Sequence, residues 1–437
     1  MGIVATSGGP GKLSAGSWRP AAPTDRATSV QASTDKRDAF ARRFAILSTA
    51  AVLWSIVTTL APSHFAMPPA ALHAAPPKPR SVEPAQIGLA PQRLAEIDAI
   101  VAEGLAENKM PGCVVLVGRH DQIGLLKAYG LRRKSPEPEP MTADTVFDLA
   151  SLTKPIATAT SVMRLVEHGK LRLDARASEY LPEFQGGNKE RITVEQLLVH
   201  QGGLIADNAL DDYRQGPAEA WRKICELTLR SDPGSKFVYS DVSFIVLGKL
   251  VERVSGQPLN EFARDNLFQP LDMKETGYLP GEALRARAAP TQQRDGRWMQ
   301  GEVHDPRAHL MGGVAGHAGL FSTASDLAIY ATAMSDAARC ADANLLAADT
   351  WRQMTAPRTV STGLRALGWD MKTGYSINRG TTMSEQAFGH GGFTGTAIWI
   401  DPASGRYVVF LSNRVHPDGK GLVNPLIGKI GTVVSRP

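Results

Sequence analysis

The chain has 437 residues, 43% hydrophobic and 21% charged, which is enough apolar material for a large core and excludes a wholly disordered chain. Its net charge of +5 is concentrated at the start, because seven Lys/Arg and three Asp fall within residues 1–43; the near-neutral remainder gives no indication of a nucleic-acid partner. Cys113, Cys225 and Cys340 are scattered and odd in number, with no C-x-x-C pair, so they support neither a disulfide framework nor a zinc cluster and read as small buried hydrophobes.

Residues 1–40 are rich in Gly, Ser, Thr, Pro and Ala without sustained periodicity and are expected to be a disordered extension. The segment 41–61 places Arg42-Arg43 before an uncharged run of 18 residues, 44–61. That length falls between the ~7–15 apolar residues of a secretory signal and the ~20 of a spanning helix, so a signal peptide and an uncleaved membrane anchor are both open. A Pro/Ala-rich linker is expected over 62–88. An exported protein follows, periplasmic or secreted, with membrane association through 44–61 if that segment is retained.

From 89 to 437 the patterns become those of one folded domain. Residues 90–108 read as an amphipathic helix, 112–119 and 123–132 as a hairpin, and 145–150 as a short strand running into a helix that begins at Ser151. A helical middle follows over 193–200, 217–230, 243–256, 259–268 and 325–334, the last with Thr323 and Asp326 as a capping pair. Strands return at 367–371, 395–402 and 407–413. This order predicts an α+β fold: an antiparallel sheet built from both chain ends and flanked by helices, with a large helical lobe inserted and a cleft at the junction.

The stretch DLASLTKP, 148–155, sets Ser151 three residues ahead of Lys154 at the mouth of an apolar helix, which makes them neighbours on its first turn. Alone, S-x-x-K more often marks a hydroxyl cap and a solvated lysine than a catalytic pair. Two further segments give it company: Tyr239-Ser240-Asp241 before another apolar helix, and His390-Gly391-Gly392 before the penultimate strand. With this ordered set, S-x-x-K, Y-x-D/N and H/K-x-G, residues 89–416 resemble the serine β-lactamase and penicillin-binding-protein superfamily, in particular its class C, DD-peptidase and esterase branch.

The resemblance implies a β-lactamase/transpeptidase-like fold and acyl-enzyme chemistry on Ser151, with Lys154 and Tyr239 as the proton-handling groups and either one as the general base. It implies an oxyanion hole from the backbone N–H groups of Ser151 and Phe393, substrate contacts from Asp241, His390, Gly391 and Gly392, and no metal or cofactor. The substrate is expected to be a small ester or amide, or a peptide. Two departures stand out. Asp241 occupies a position where many members have asparagine, and its carboxylate should favour the ammonium form of Lys154. His390-Gly391-Gly392 stands in place of K-T-G, which should weaken the grip on a substrate carboxylate. A literal Lys372-Thr373-Gly374 is followed by a polar, loop-like stretch and reads as a strand end and turn. His200 at its helix end reads as a structural hydrogen-bonder, and the glycine-rich 312–326 with His317 as a loop bordering the cleft.

Overall fold

The computed structural model describes residues 78–436. The expected extension, signal or anchor, and most of the linker lie outside the described residues. The packed domain begins upstream of residue 89, since Arg80–Ser81 pairs in parallel with the start of Gln122–Arg133 and Ile87 is buried against the same sheet. Among the described residues no helix is long and apolar enough to cross a membrane.

A ten-stranded sheet organises the domain. Its centre runs Gln122–Arg133, Gly112–Arg119, Arg406–Ser412, Thr396–Asp401, Phe388–Gly392, all antiparallel, so that strands from the two ends of the chain are neighbours. Seven residues of Gly112–Arg119 are buried because both faces of the sheet are covered. The two-residue period of a strand divides them between two cores. Val114 and Leu116 join the core under the helical lobe, whereas Cys113, Val115 and Val117 join the core shared with the helices Pro91–Ala106 and Asn424–Ser435. Full burial of each Val or Leu contributes about 1.5–3 kcal/mol.

The helical middle forms largely as expected, as Val194–Leu198, Pro217–Glu226, Asp241–Ser255, Leu259–Ala263 and Ala324–Met334. The Asp241–Ser255 helix starts two residues before the expected 243 because Ser240 caps it, accepting from Ser243 N at 3.1 Å. The strand expected over 367–371 is displaced to Asp370–Lys372. Two short strands, Arg358–Val360 and Gly363–Arg365, and the final helix Asn424–Ser435 had no counterpart in the sequence reading.

Candidate active site

The residues before Ser151 form a tight, strained turn. Phe147–Asp148 pairs with Leu320–Ser322, and the chain then passes through Ala150 at φ 47°, a left-handed conformation that costs an L-residue about 1–2 kcal/mol. Asp148 sustains it: one carboxylate oxygen accepts from Ala150 N at 2.8 Å, the other from His304 N at 2.6 Å. Burial pushes the Asp148 carboxyl up to about 6, against those two backbone donors.

The expected single helix from Ser151 is in fact three segments: a 3₁₀ turn at Ala150–Leu152, a π-helical stretch Lys154–Ala159, and an α-helix Thr160–Glu167. Three residues per turn eclipse positions i and i+3, which brings the two side chains together. Lys154 Nζ donates to Ser151 Oγ at 3.0 Å and to the His317 carbonyl at 3.1 Å, and lies 2.6 Å from Asp241 Oδ1. The lysine is fully buried. Burial alone would favour the neutral amine, but the Asp241 carboxylate and the Tyr239 oxygen outweigh it and hold the pKa above the usual lysine range.

Tyr239 completes the group: it lines the same cleft as Ser151, and Lys154 Nζ lies 5.0 Å from the centre of its ring. Desolvation raises its pKa despite the nearby ammonium, so the resting site holds a phenol, an ammonium and a carboxylate. His200 clamps the tyrosine from both sides in sequence: its carbonyl accepts from Val238 N at 3.0 Å and its Nδ1 accepts from Ser240 N at 3.0 Å. The His200 and Tyr239 rings lie 4.6 Å apart. Burial, then the charges of Arg365 and Lys154, keep His200 neutral; its place in the fold is the structural one expected of it.

His390-Gly391-Gly392 precedes the penultimate strand as expected and is itself strand, Phe388–Gly392, paired in a hairpin with Thr396–Asp401. Two threonines stitch this hairpin to the turn before Ser151: Thr394 Oγ1 donates to the Asp148 carbonyl at 2.7 Å and Thr396 Oγ1 to the Leu149 carbonyl at 3.0 Å. A Cβ at Gly392 would sit 2.5 Å from the Leu149 oxygen, so only glycine permits this approach. Phe393, the next residue, thereby faces the same cleft as Ser151. His390 Nδ1 donates to the Gly391 carbonyl at 2.8 Å, and burial with the charges of Arg365 and Lys154 holds the ring neutral.

The cleft, about 260 Å³, is lined by Ser151, Tyr239, Arg365, His390, Gly391 and Phe393 among others. Asp241, expected to contact substrate, is instead spent on Lys154, as the first residue of a helix whose opening dipole favours an acid there. Asp241, Asp305 and His317 each bring a ligand atom within 4.8 Å of the others, but the Lys154 ammonium already meets the Asp241 end of that cluster and His317 Nε2 the Asp305 end, at 2.9 Å. Lys372 is solvent-facing and paired with Glu385 at 3.3 Å, and Thr373 turns back to Asp370, so Lys372-Thr373-Gly374 is a strand end and turn. Sequence reasoning missed Asp148 and Arg365. The first had a usable signal, an aspartate two residues ahead of the N–H it captures; the second had none.

The profile of the family described as Beta-lactamase matches residues 97–431. A putative D-alanyl-D-alanine carboxypeptidase of Escherichia coli (strain K12) is 31% identical over 76% of this chain and 85% of its own. An N-acetylmuramyl-L-alanine amidase of Bacillus subtilis (strain 168) is 34% identical over 78% and 85%. Among solved structures, EstCE1, a hydrolase with promiscuous acyltransferase activity, superposes with TM-score 0.63 at 22% identity, over 79% of this chain and 99% of that one, and so shares the fold. With most of its length matched by the family profile and by relatives above 30% identity, this chain belongs to the Beta-lactamase family.

Proposed function

We propose that the protein is a hydrolase of esters or amides that forms an acyl-enzyme on Ser151 and transfers the acyl group to water. The observation that carries this reading is the contact of Ser151 Oγ with Lys154 Nζ at 3.0 Å, with the Tyr239 ring 5.0 Å from that ammonium in the same cleft. Ser151 Oγ attacks the carbonyl carbon, and its proton passes to Tyr239 as the phenol's own proton moves to the departing oxygen or nitrogen. No free phenolate need accumulate in this exchange, which suits a tyrosine whose pKa is raised. Lys154, held as an ammonium by Asp241, is a poor base and instead orients the hydroxyl and offsets negative charge as it develops. The N–H groups of Ser151 and Phe393 receive the carbonyl oxygen. Water then attacks the acyl-enzyme by the reverse route.

A second reading within the same chemistry, hydrolysis of cell-wall peptides, is favoured by the names of the Escherichia coli and Bacillus subtilis relatives. Export through residues 41–61 would accompany either. A fluorophosphonate probe should label the wild-type protein and leave Ser151→Ala unlabelled; an unlabelled, folded wild type would reject acyl-enzyme chemistry. Rates on p-nitrophenyl esters, nitrocefin and a D-Ala-D-Ala peptide then rank the two readings.

A further inference from the structure

Phe393 is 59% exposed, yet the peptides on either side of it are tied down. It is the second residue of the turn Gly392-Phe393-Thr394-Gly395, which joins the strands of the 388–401 hairpin and is closed by Gly395 N donating to the Gly392 carbonyl at 3.0 Å. The C=O and N–H of one trans peptide point in opposite directions, so pinning the Gly392 carbonyl inside the turn sends the Phe393 N–H away from it. The next peptide, Phe393 C=O with Thr394 N–H, is the one whose rotation separates type I from type II turns. Arg414 removes that freedom. Its Nε donates to the Phe393 carbonyl at 2.7 Å, its guanidinium carbon lies 4.4 Å from the centre of the Phe393 ring, and its backbone N donates to the Thr394 carbonyl at 2.9 Å. The far end of the side chain is anchored too, with Nη1 donating to the Gly421 carbonyl at 2.7 Å. His304 stacks on the same ring, centroids 5.5 Å apart. A Cβ at Gly395 would come 2.7 Å from Arg414 Cγ, so glycine there leaves the arginine its path.

We propose that Arg414 is the positioning residue of the oxyanion hole: by holding the Phe393 carbonyl it locks the turn in the rotation that aims the Phe393 N–H at the substrate's carbonyl oxygen. The inference rests on the acyl-enzyme reading above and deepens it. Thr394 and Thr396 place the turn against the residues before Ser151, through the Asp148 and Leu149 carbonyls. Arg414 sets the rotation within the turn, and its part in the reaction is indirect, through Phe393. The directional hydrogen bond from Nε carries this role, and the positive charge does not, because both of the side chain's hydrogen bonds end on backbone carbonyls. An oxyanion donor must meet the oxygen where it stands once the carbon is tetrahedral, so a tilted Phe393 peptide loses transition-state contact and leaves ground-state binding almost unaltered.

The test takes the p-nitrophenyl ester that the wild type turns over fastest and compares it with its thiono analogue, in which sulfur replaces the carbonyl oxygen. Sulfur is a poor acceptor and too large for a hole shaped to oxygen, so the oxygen-over-sulfur ratio of kcat/KM, each rate divided by its uncatalysed rate, reads the hole directly. The wild-type ratio should be about 100-fold, the order of one oxyanion donor, and Arg414→Met should lower it about 10-fold, through kcat more than KM. Arg414→Gln sets an uncharged N–H where arginine has Nε and should keep the ratio near the wild-type value. An unchanged ratio in Arg414→Met overturns the proposal, and so does an Arg414→Gln ratio well below the wild-type one, which decides the matter alone where Arg414→Met does not fold. A purely structural arginine would lower stability and both rates together, leaving the ratio where it was. A folded wild type that takes no fluorophosphonate label strikes the acyl-enzyme reading, whereas a labelled wild type with equal rates on the two esters overturns only the oxyanion-hole assignment and this proposal with it.

Discussion

Asp241 Oδ1 lies 2.6 Å from Lys154 Nζ, and this pair decides the charge state in which Ser151 is met. A buried ammonium beside a carboxylate has a pKa above its unfolded value, so its contribution to stability is complete below about pH 10.5 and is lost only as pH rises through the folded pKa. The wild type should therefore show no lysine-linked change in stability across the neutral range.

Asp241→Asn removes the partner and leaves a buried charge uncompensated, which costs about 3–5 kcal/mol when a buried pair is broken from one side. Urea denaturation at pH 7 should register a loss of that order. Wild-type stability in this variant would mean that the backbone carbonyl of His317, also bonded to the ammonium, suffices to hold it.

Tyr239→Phe should reduce kcat by ~10² or more with fold and KM largely retained, as expected when a proton-transfer group is removed but the ring stays in place between His200 and Tyr375. A near-normal rate would transfer the whole task to Lys154.

Asp148 predicts an acid limb. With a folded pKa of about 6 against 3.8, the native state takes up a proton on this residue as pH falls through 6, where the unfolded chain does not. The folding stability owed to this group therefore rises as pH falls from about 6 to about 4, while the protonated carboxyl loses its hold on Ala150 N and His304 N. Activity should fall below pH 6 with the circular dichroism spectrum unchanged. Asp148→Asn should be weakly active and flat across the same range; parallel loss of activity and fold would refute the assignment.

Thr396→Val deletes the hydroxyl that ties the 388–401 hairpin to the Leu149 carbonyl while preserving shape. The cost in stability should be near 1 kcal/mol, typical of one hydrogen bond, whereas kcat should fall more steeply because Phe393 loses its register with Ser151. Equal effects on both would show that the hairpin is anchored elsewhere, by Thr394.

The contrast between what was legible and what was not follows from the range of each interaction. Ser151 and Lys154 were readable because three residues of spacing on a helical turn is a local relation, and Tyr239 because its place in the ordered motif set matched the superfamily that the sequence resembles. The π-helical stretch after Lys154 was not, since nothing in KPIATA distinguishes it from an α-helix until the lobe packs around it. Arg365 acquires meaning only through the strand pairing that sets it opposite Asp370. The final helix, NPLIGKIGTVVS, was obscured by its glycines and β-branched residues, which normally weaken a helix. Gly428 is there because a Cβ would come 2.5 Å from the Ile377 carbonyl on the loop it covers.

The juxtaposition of Gly112–Arg119 with Arg406–Ser412 carries a consequence for synthesis. A nascent polypeptide displaying Ser151, Lys154 and Tyr239 possesses every group to which the proposed chemistry assigns the reaction, yet the wall that carries Phe393 is still to be translated, and the strand joining it to the amino-terminal half comes later still. On the proposed function, reactivity is withheld until the closing stretch has been made, and a prematurely terminated product is expected to be inert toward the cell that made it.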